Sequence, residues 1–159
     1  MLTIVPTTTE ALPEIERIFA QCKAYMRAEG NPHQWRDDYP TAKVVAADIE
    51  AGTALMCLDG DEVVGTFALS TYEEAYDRIT EGAWRFVEPY VVIHRLATKS
   101  GRGVGRFVLQ WLQQHYAYVR LDTHECNRTM QHLLTQYGFV RCGHVHYPGY
   151  SGLAFEWHR

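Results

Sequence analysis

The spacing of apolar residues changes along the chain, and each change marks a new element. Leu2 to Val5 has the make-up of a short strand. From Leu12 the apolar positions Ile15, Ile18, Phe19, Cys22, Tyr25 and Met26 recur on one helical face, and Gly30 is placed to end that helix. Thr7-Thr8-Thr9-Glu10 ahead of it supplies hydroxyls for capping and a carboxylate suited to a helix start. Residues 41–52 predict a second helix. Ala54–Leu58 and Glu62–Leu69 predict two strands joined at Asp59-Gly60, the signal of a type I′ hairpin. Tyr90 to Ala97 combines β-branched residues with strand length, and Val104, Phe107, Val108, Trp111, Leu112 and His115 then fall on one helical face. Tyr118–Thr123 predicts a strand, Asn127–Tyr137 a helix closed by Gly138, and Phe139–Tyr147 and Leu153–Trp157 two final strands on either side of a Pro148-Gly149-Tyr150-Ser151-Gly152 turn.

Two stretches have no clear period. Asn31 to Pro40 is a polar and aromatic loop with two readings: a substrate-facing loop, or a surface loop in which Trp35 plugs a core edge. Glu73 to Trp84, following Tyr72, is too polar for a core strand and is expected to lie over the working face. No linker, repeat or low-complexity tract divides residues 1–159, so the order of elements implies one mixed α/β domain with about four helices.

Composition narrows the class. The chain is 47% hydrophobic and 21% charged, ordinary for a globular protein, and its net charge of −4 argues against a general nucleic-acid binder. Cys22, Cys57, Cys126 and Cys142 form no CxxC pair, and the opening Met1-Leu2-Thr3-Ile4-Val5-Pro6 lacks the charged start and apolar run of a secretory leader. No stretch reaches membrane-spanning length. A cytoplasmic protein with reduced cysteines and no membrane partner is therefore expected.

The chemistry concentrates after the Tyr90–Ala97 strand. Ser100-Gly101-Arg102-Gly103-Val104-Gly105 leads directly into a helix, with Lys99, Arg102 and Arg106 nearby. Successive main-chain N–H groups in such a turn point into one hollow, and the helix dipole adds partial positive charge. That arrangement suits a phosphate, although tight strand–helix packing alone would also use glycines.

In this order of elements the chain resembles the GNAT family, the Gcn5-related N-acetyltransferases. The family's acetyl-CoA signature is Arg or Gln, two variable residues, Gly, one variable residue, then Gly or Ala. Residues Ser100 to Gly105 match it, and Asn127 through Gly138-Phe139 matches a second family feature. The resemblance implies a splay between the strands at 90–97 and 118–123, with the pantetheine arm of acetyl-CoA along Leu96, Ala97 and Thr98. It implies pyrophosphate contacts from Ser100, Gly101, Arg102, Gly103, Val104, Gly105 and Arg106, and a cofactor contact from Asn127. GNAT proteins are often dimers, which leaves a homodimer open as a partner state that the sequence itself does not read out. Three positions depart from the family pattern. Ser100 replaces the usual Arg or Gln in a shortened turn, which leaves Lys99, Arg102 or Arg106 to restore a phosphate contact. Leu134 stands where a general-acid Tyr is frequent, with Tyr137 one turn on, and Val92 stands near the place of an occasional catalytic Glu.

The implied activity is transfer of the acetyl group of acetyl-CoA to a primary amine, by direct attack on the thioester. An alkyl amine with a pKa near 10.4 must first lose a proton, so a base is the larger need. Alternation puts Glu88, Tyr90, Val92 and His94 on one face, which makes His94 the leading base and Glu88 a second candidate. A His holding a backbone carbonyl is the plainer role for His94. Trp35, Tyr39, Tyr72, Trp84 and His124, with Asp37 and Asp38, would suit a small cationic amine or amino-acid-like acceptor. Asp122 reads as an anchor for a loop or a positive neighbour. Arg95, opposite His94, would need a carboxylate, for which Glu156 is the candidate. His144 and His146 share a strand face but lack further ligands, so no metal is expected. Leu134 and Val92 keep an alternative open, a non-catalytic acyl-CoA-binding or sensing module.

Overall fold

A computed structural model describes all 159 residues. Seven strands form one sheet in the order β1-β2-β3-β4-β5-β7-β6: β1 (Leu2–Pro6), β2 (Ala54–Asp59), β3 (Glu62–Ser70), β4 (Val91–Thr98), β5 (Tyr118–Thr123), β6 (Val140–Tyr147) and β7 (Tyr150–His158). Every neighbouring pair is antiparallel except β4 and β5. Four α-helices complete the fold: α1 (Leu12–Ala28), α2 (Ala42–Ala51), α3 (Val104–His115) and α4 (Arg128–Gln136). No helix is long and apolar enough to cross a membrane.

The helix faces differ in detail from the apolar pattern. At the start of α1, Thr9–Ala11 forms a single 3-10 turn and no hydroxyl caps the helix; Pro13 sits in the first turn instead. Ile15, Ile18, Phe19 and Met26 are buried as expected, but Tyr25 is 53% exposed. Lys23 takes the inward place, one helical turn beyond Phe19. Its ammonium donates to the carbonyl oxygens of Asp37 at 3.1 Å and Pro40 at 2.7 Å, which ties the 31–40 loop to α1. An apolar count cannot anticipate this, because the burial of Lys23 depends on acceptors fourteen and more residues away.

The hairpin also shifts. Asp59 pairs with Glu62, so the connecting residues are Gly60 and Asp61, and only Gly60 has positive φ (61°). A type I′ turn requires positive φ at both positions, so the turn is of another kind.

The sheet divides the core in two. Val104, Val108, Leu109 and Leu112 of α3, with Leu134 of α4, pack on one face against Cys57, Val64, Phe67, Ile93, Val119 and Phe155. On the other face, Ile15, Ile18, Phe19 and Met26 of α1 and Val45 of α2 pack against Ala54, Met56 and Ala97. Ile93 and Ala97 are an even number of residues apart, yet they join different clusters. The cause is a bulge in β4. Thr66 pairs with Ala97 and Ala68 with His94, which leaves one extra residue in β4, and Arg95 carries φ 54°.

Arg95 is therefore not simply opposite His94, and its partner is not Glu156. It pairs with Asp48 of α2, and its Nη1 donates to the Tyr39 hydroxyl at 3.2 Å. Glu156 instead anchors residues 84–90. Its carboxylate accepts from the Tyr118 hydroxyl at 2.6 Å and from Arg85 Nε at 2.5 Å. Beside it, Arg120 is buried and lies over Tyr90 at 4.1 Å, Trp84 at 4.3 Å and Tyr118 at 5.0 Å, while donating to the Phe86 carbonyl at 2.9 Å. Trp84 thus belongs to a box around Arg120, and its indole N–H donates to the Tyr76 carbonyl at 2.9 Å.

Burial alone would raise the Glu156 carboxyl, but the hydrogen bonds from Tyr118 and Arg85 outweigh it and hold the group below its ordinary value. A depressed carboxyl stabilises the fold above its unfolded value, about 4.3 for Glu, and that contribution is lost as pH falls through the folded value. Glu156→Gln is expected to lower Tm at pH 7 by roughly 5 °C and to flatten the loss of stability below about pH 4. Thermal unfolding followed by circular dichroism across pH 3–7 measures both.

Candidate active site

The site begins where β4 and β5 part. They share only the pairs Val91–Val119 and Val92–Arg120, after which β4 runs on to Thr98 and β5 to Thr123 without further pairing. Helix α3 starts at the open end. Lys99 N–H closes the strand on the Val64 carbonyl at 2.9 Å, and the next protein-bound donor is Phe107, to Gly103 at 3.1 Å. Between them the N–H groups of Ser100 to Arg106 reach no protein acceptor. Gly101 (φ 73°) and Gly103 (φ 69°) supply the left-handed backbone that turns these groups to one side. Gly65 lets α3 approach the sheet, since a Cβ there would lie 2.8 Å from Val104 Cγ1.

Two of the three basic residues near this turn are occupied. Lys99 pairs with Glu14 at 2.8 Å and Glu62 at 3.1 Å; Arg102 pairs with Asp59 at 2.8 Å and Glu62 at 3.0 Å. Arg106 is exposed and has no partner. On the strand itself, Leu96 is half-buried, Ala97 is buried, and the Thr98 carbonyl accepts from the Cys22 thiol at 3.4 Å.

Across the gap, Asn127 caps α4 by accepting from the Met130 N–H at 3.1 Å, and its Nδ2 donates to Gln34 Oε1 at 3.0 Å. The same Gln34 oxygen lies 3.2 Å from the His124 N–H and 3.3 Å from both Thr123 Oγ1 and Asn31 Nδ2. Gln34 therefore latches the 31–40 loop onto the open end of β5. His124 packs beside His33 and Tyr150, with ring centres at 5.6 and 5.8 Å, and burial pulls its imidazole below the usual value.

A cavity of about 620 Å³ opens beside the gap, on the α1 and α2 side of the sheet. His94, Arg95, Glu73, Asp122, Tyr147 and Tyr150 contribute to its wall, together with Trp35, Tyr39 and Tyr72 among the aromatic residues expected from sequence. Trp35 is mostly buried, edge-on to Phe19 at 5.7 Å, so it both plugs the core edge and lines the cavity. Tyr72 is exposed and bonded to Asp77. His124 stands just outside the lining, and Trp84 and Glu88 do not reach it. Glu88 precedes β4, is exposed and pairs with His158, so it does not share a strand face with His94.

His94 Nε2 lies 3.3 Å from Glu73 Oε1. The His94 side chain, and then the Ala75 N–H at 3.2 Å, hold the Glu73 carboxyl below its ordinary value despite burial. With Nε2–H turned to Glu73, Nδ1 keeps the lone pair, a tautomer assigned from this contact. Asp122 accepts the hydroxyls of Tyr76 at 2.7 Å and Tyr147 at 2.8 Å, both on Oδ1. Burial pushes its carboxyl up even so. Val92 is fully buried, and so is Leu134, which points into the core.

Glu73, Gln34, Tyr147 and Tyr150 escaped the sequence reading. Glu73 lies just beyond β3 in a stretch without period, and nothing local marks it. The tyrosines did leave a signal: they flank Pro148-Gly149, so one tight turn presents both rings together.

Residues 12–139 match the model of the acetyltransferase (GNAT) family, and the chain belongs to that family. No curated protein matches it. Among solved structures, a GNAT-family acetyltransferase from Streptococcus agalactiae is 29% identical, with a TM-score of 0.90 over 99% of this chain and 95% of that one. The Salmonella typhimurium protein yncA, solved with its cofactor acetyl-CoA, is 14% identical with a TM-score of 0.64, covering 99% and 93%. Aminoglycoside acetyltransferase AAC(6')-Ib in complex with coenzyme A is 16% identical with a TM-score of 0.66, covering 100% and 95%. The last two share the fold.

Replacing Gln34 by Ala is expected to release the 31–40 loop while leaving the sheet intact. Hydrogen–deuterium exchange should rise at residues 33–39 and 123–127, with Tm lower by about 3 °C, the scale of one or two lost side-chain hydrogen bonds.

Proposed function

We propose that the protein is an N-acetyltransferase that moves the acetyl group of acetyl-CoA to a primary amine by direct attack. The observation that carries this reading is the run of unpaired N–H groups from Ser100 to Arg106 at the mouth of the parted strands. An isolated helix start leaves donors free, but here the glycines extend that run backward to the strand end. A diphosphate is the ligand such a row fits, with Arg106 as the one free basic side chain beside it. Pantetheine would follow Leu96, Ala97 and Thr98, whose edge toward β5 is unpaired. Asn127 supports that wall through its cap and its bond to Gln34, rather than by offering a free amide.

The acceptor amine enters from the cavity and meets His94. One proton leaves the ammonium for His94 Nδ1, the nitrogen bonds to the acetyl carbon, and the carbon–sulfur bond breaks. The second proton lost from nitrogen balances the thiolate, so amide and thiol form with net release of one proton. Glu73 stabilises the imidazolium in this scheme. The leaving thiol, if like Cys, has a pKa near 8.5 and departs tolerably without an acid. That suits a helix α4 in which Leu134 is buried.

The buried Leu134 also favours a second reading, an acyl-CoA sensor that binds without turnover. Titration calorimetry with acetyl-CoA, followed by coenzyme release over a panel of primary amines, separates the two. Heat on titration without release of thiol from any amine selects the sensor. Absence of heat removes both.

Two substitutions sharpen the test. Gly103→Val, strained at φ 69°, should weaken acetyl-CoA binding at least tenfold in the calorimeter. His94→Gln should lower kcat by roughly 10²-fold or more with acetyl-CoA affinity unchanged. Glu73→Gln is expected to fall between His94→Gln and the parent in the same coenzyme-release assay.

A further inference from the structure

We infer that Asp122 is the anchor for the ammonium group of the acceptor, which makes the cavity selective for amines that arrive as cations. The inference rests on the acetyl-transfer reading and adds a specificity-determining residue to it.

Strand register supplies the first argument. Val92 pairs with Arg120 in parallel, and His94 and Asp122, each two residues further along its strand, lie just past that last pair, where the strands part. Both line the cavity. A nitrogen positioned for His94 thereby shares that cavity with Asp122.

The charges of the cavity supply the second. Arg95 is matched by Asp48, and Glu73 lies against His94. Asp122 has no cationic partner; its protein contacts are two phenol hydroxyls, both on Oδ1. Oδ2 accepts no hydrogen bond and is not sealed from solvent. A carboxylate held by one oxygen, with the other open to a cavity, is short of one donor group, and an ammonium ion is the strongest available. The rings of Tyr147 and Tyr150, 5.7 Å apart, border the same wall and add cation–π attraction.

Room for Oδ2 is itself a sequence feature. A Cβ at Gly152 would lie 2.5 Å from Oδ2 and 3.2 Å from Asp122 Cβ. The glycine therefore preserves the space in which that oxygen stands.

Asp122→Asn separates charge from structure, because an amide oxygen still accepts both phenols. The probes are benzylamine, a cation at pH 7.5, and aniline, neutral at that pH and of similar size. At saturating acetyl-CoA, Asp122→Asn should raise KM for benzylamine roughly tenfold to hundredfold with a much smaller change in kcat, and leave KM for aniline in place. Direct titration of benzylamine into the protein with coenzyme A should show the same loss of affinity. Gly152→Ala, which crowds Oδ2 but keeps the charge, should reproduce the KM effect.

Equal KM for benzylamine in the parent and Asp122→Asn overturns the inference, as does a fall in kcat of the same size for both amines. A parent protein that binds acetyl-CoA but neither binds nor acetylates benzylamine also overturns it, while the acyl-CoA reading stands. Failure to bind acetyl-CoA removes both.

Discussion

Two residue pairs, Val91 with Val119 and Val92 with Arg120, are the whole of the ladder between the parallel strands. The cavity and the free N–H groups at the start of α3 lie beyond them. A parallel pair carried to full length would satisfy the facing N–H and C=O groups of both strands and leave no opening. Stopping after two pairs leaves a polar edge on β4 and a free end on β5, and such an edge persists only if something else uses or solvates it. The bulge at Arg95 is part of the same constraint, since it swings the later residues of β4 onto the opposite face. Gap, helix start and cavity therefore arise from one interruption of the sheet.

On either side of that interruption the fold is braced by charge as much as by apolar contact. Arg120, boxed by three aromatic rings, and Glu156, bonded to Tyr118 and Arg85, fix the segment leading into β4. Lys23, buried in α1, and Gln34, at the end of β5, fix the loop that walls the cavity. Polar groups buried like Lys23, Arg120 and Glu156 are costly unless each finds its partners, and these do, as does the half-buried Gln34. Of the four, Gln34 itself lines the cavity, and Lys23 holds the loop that carries it.

The regular elements were legible from residue spacing because period and composition agreed: all seven strands and four helices fall close to where the pattern puts them. The glycine turn was legible for the same reason: Gly101 and Gly103 take the left-handed backbone of a tight turn, while Gly105 lies inside α3, close to Leu133. What the pattern could not reach was pairing at long range. Asp48, not Glu156, meets Arg95, because the bulge changes where Arg95 points and no local signal encodes the bulge. Glu73 meets His94 from the end of another strand, and Gln34 reaches β5 across ninety residues of chain. Glu88 and Trp84 looked suitable by residue type, but the box around Arg120 and the pairing with His158 hold them away from the cavity.

Arg95 carries the cost of one residue serving two walls. Its left-handed backbone shapes the edge facing the β4–β5 gap, while its guanidinium grips α2 and Tyr39 on the cavity side. Any replacement that relaxes the main chain also lets go of those neighbours. The β4 edge and the cavity wall are thereby mechanically geared, and a change in one is bound to alter the other. The Tyr147–Tyr150 turn, which shares no hydrogen bond with Arg95, is then freer to vary than the 31–40 loop, whose Tyr39 is held in the gear.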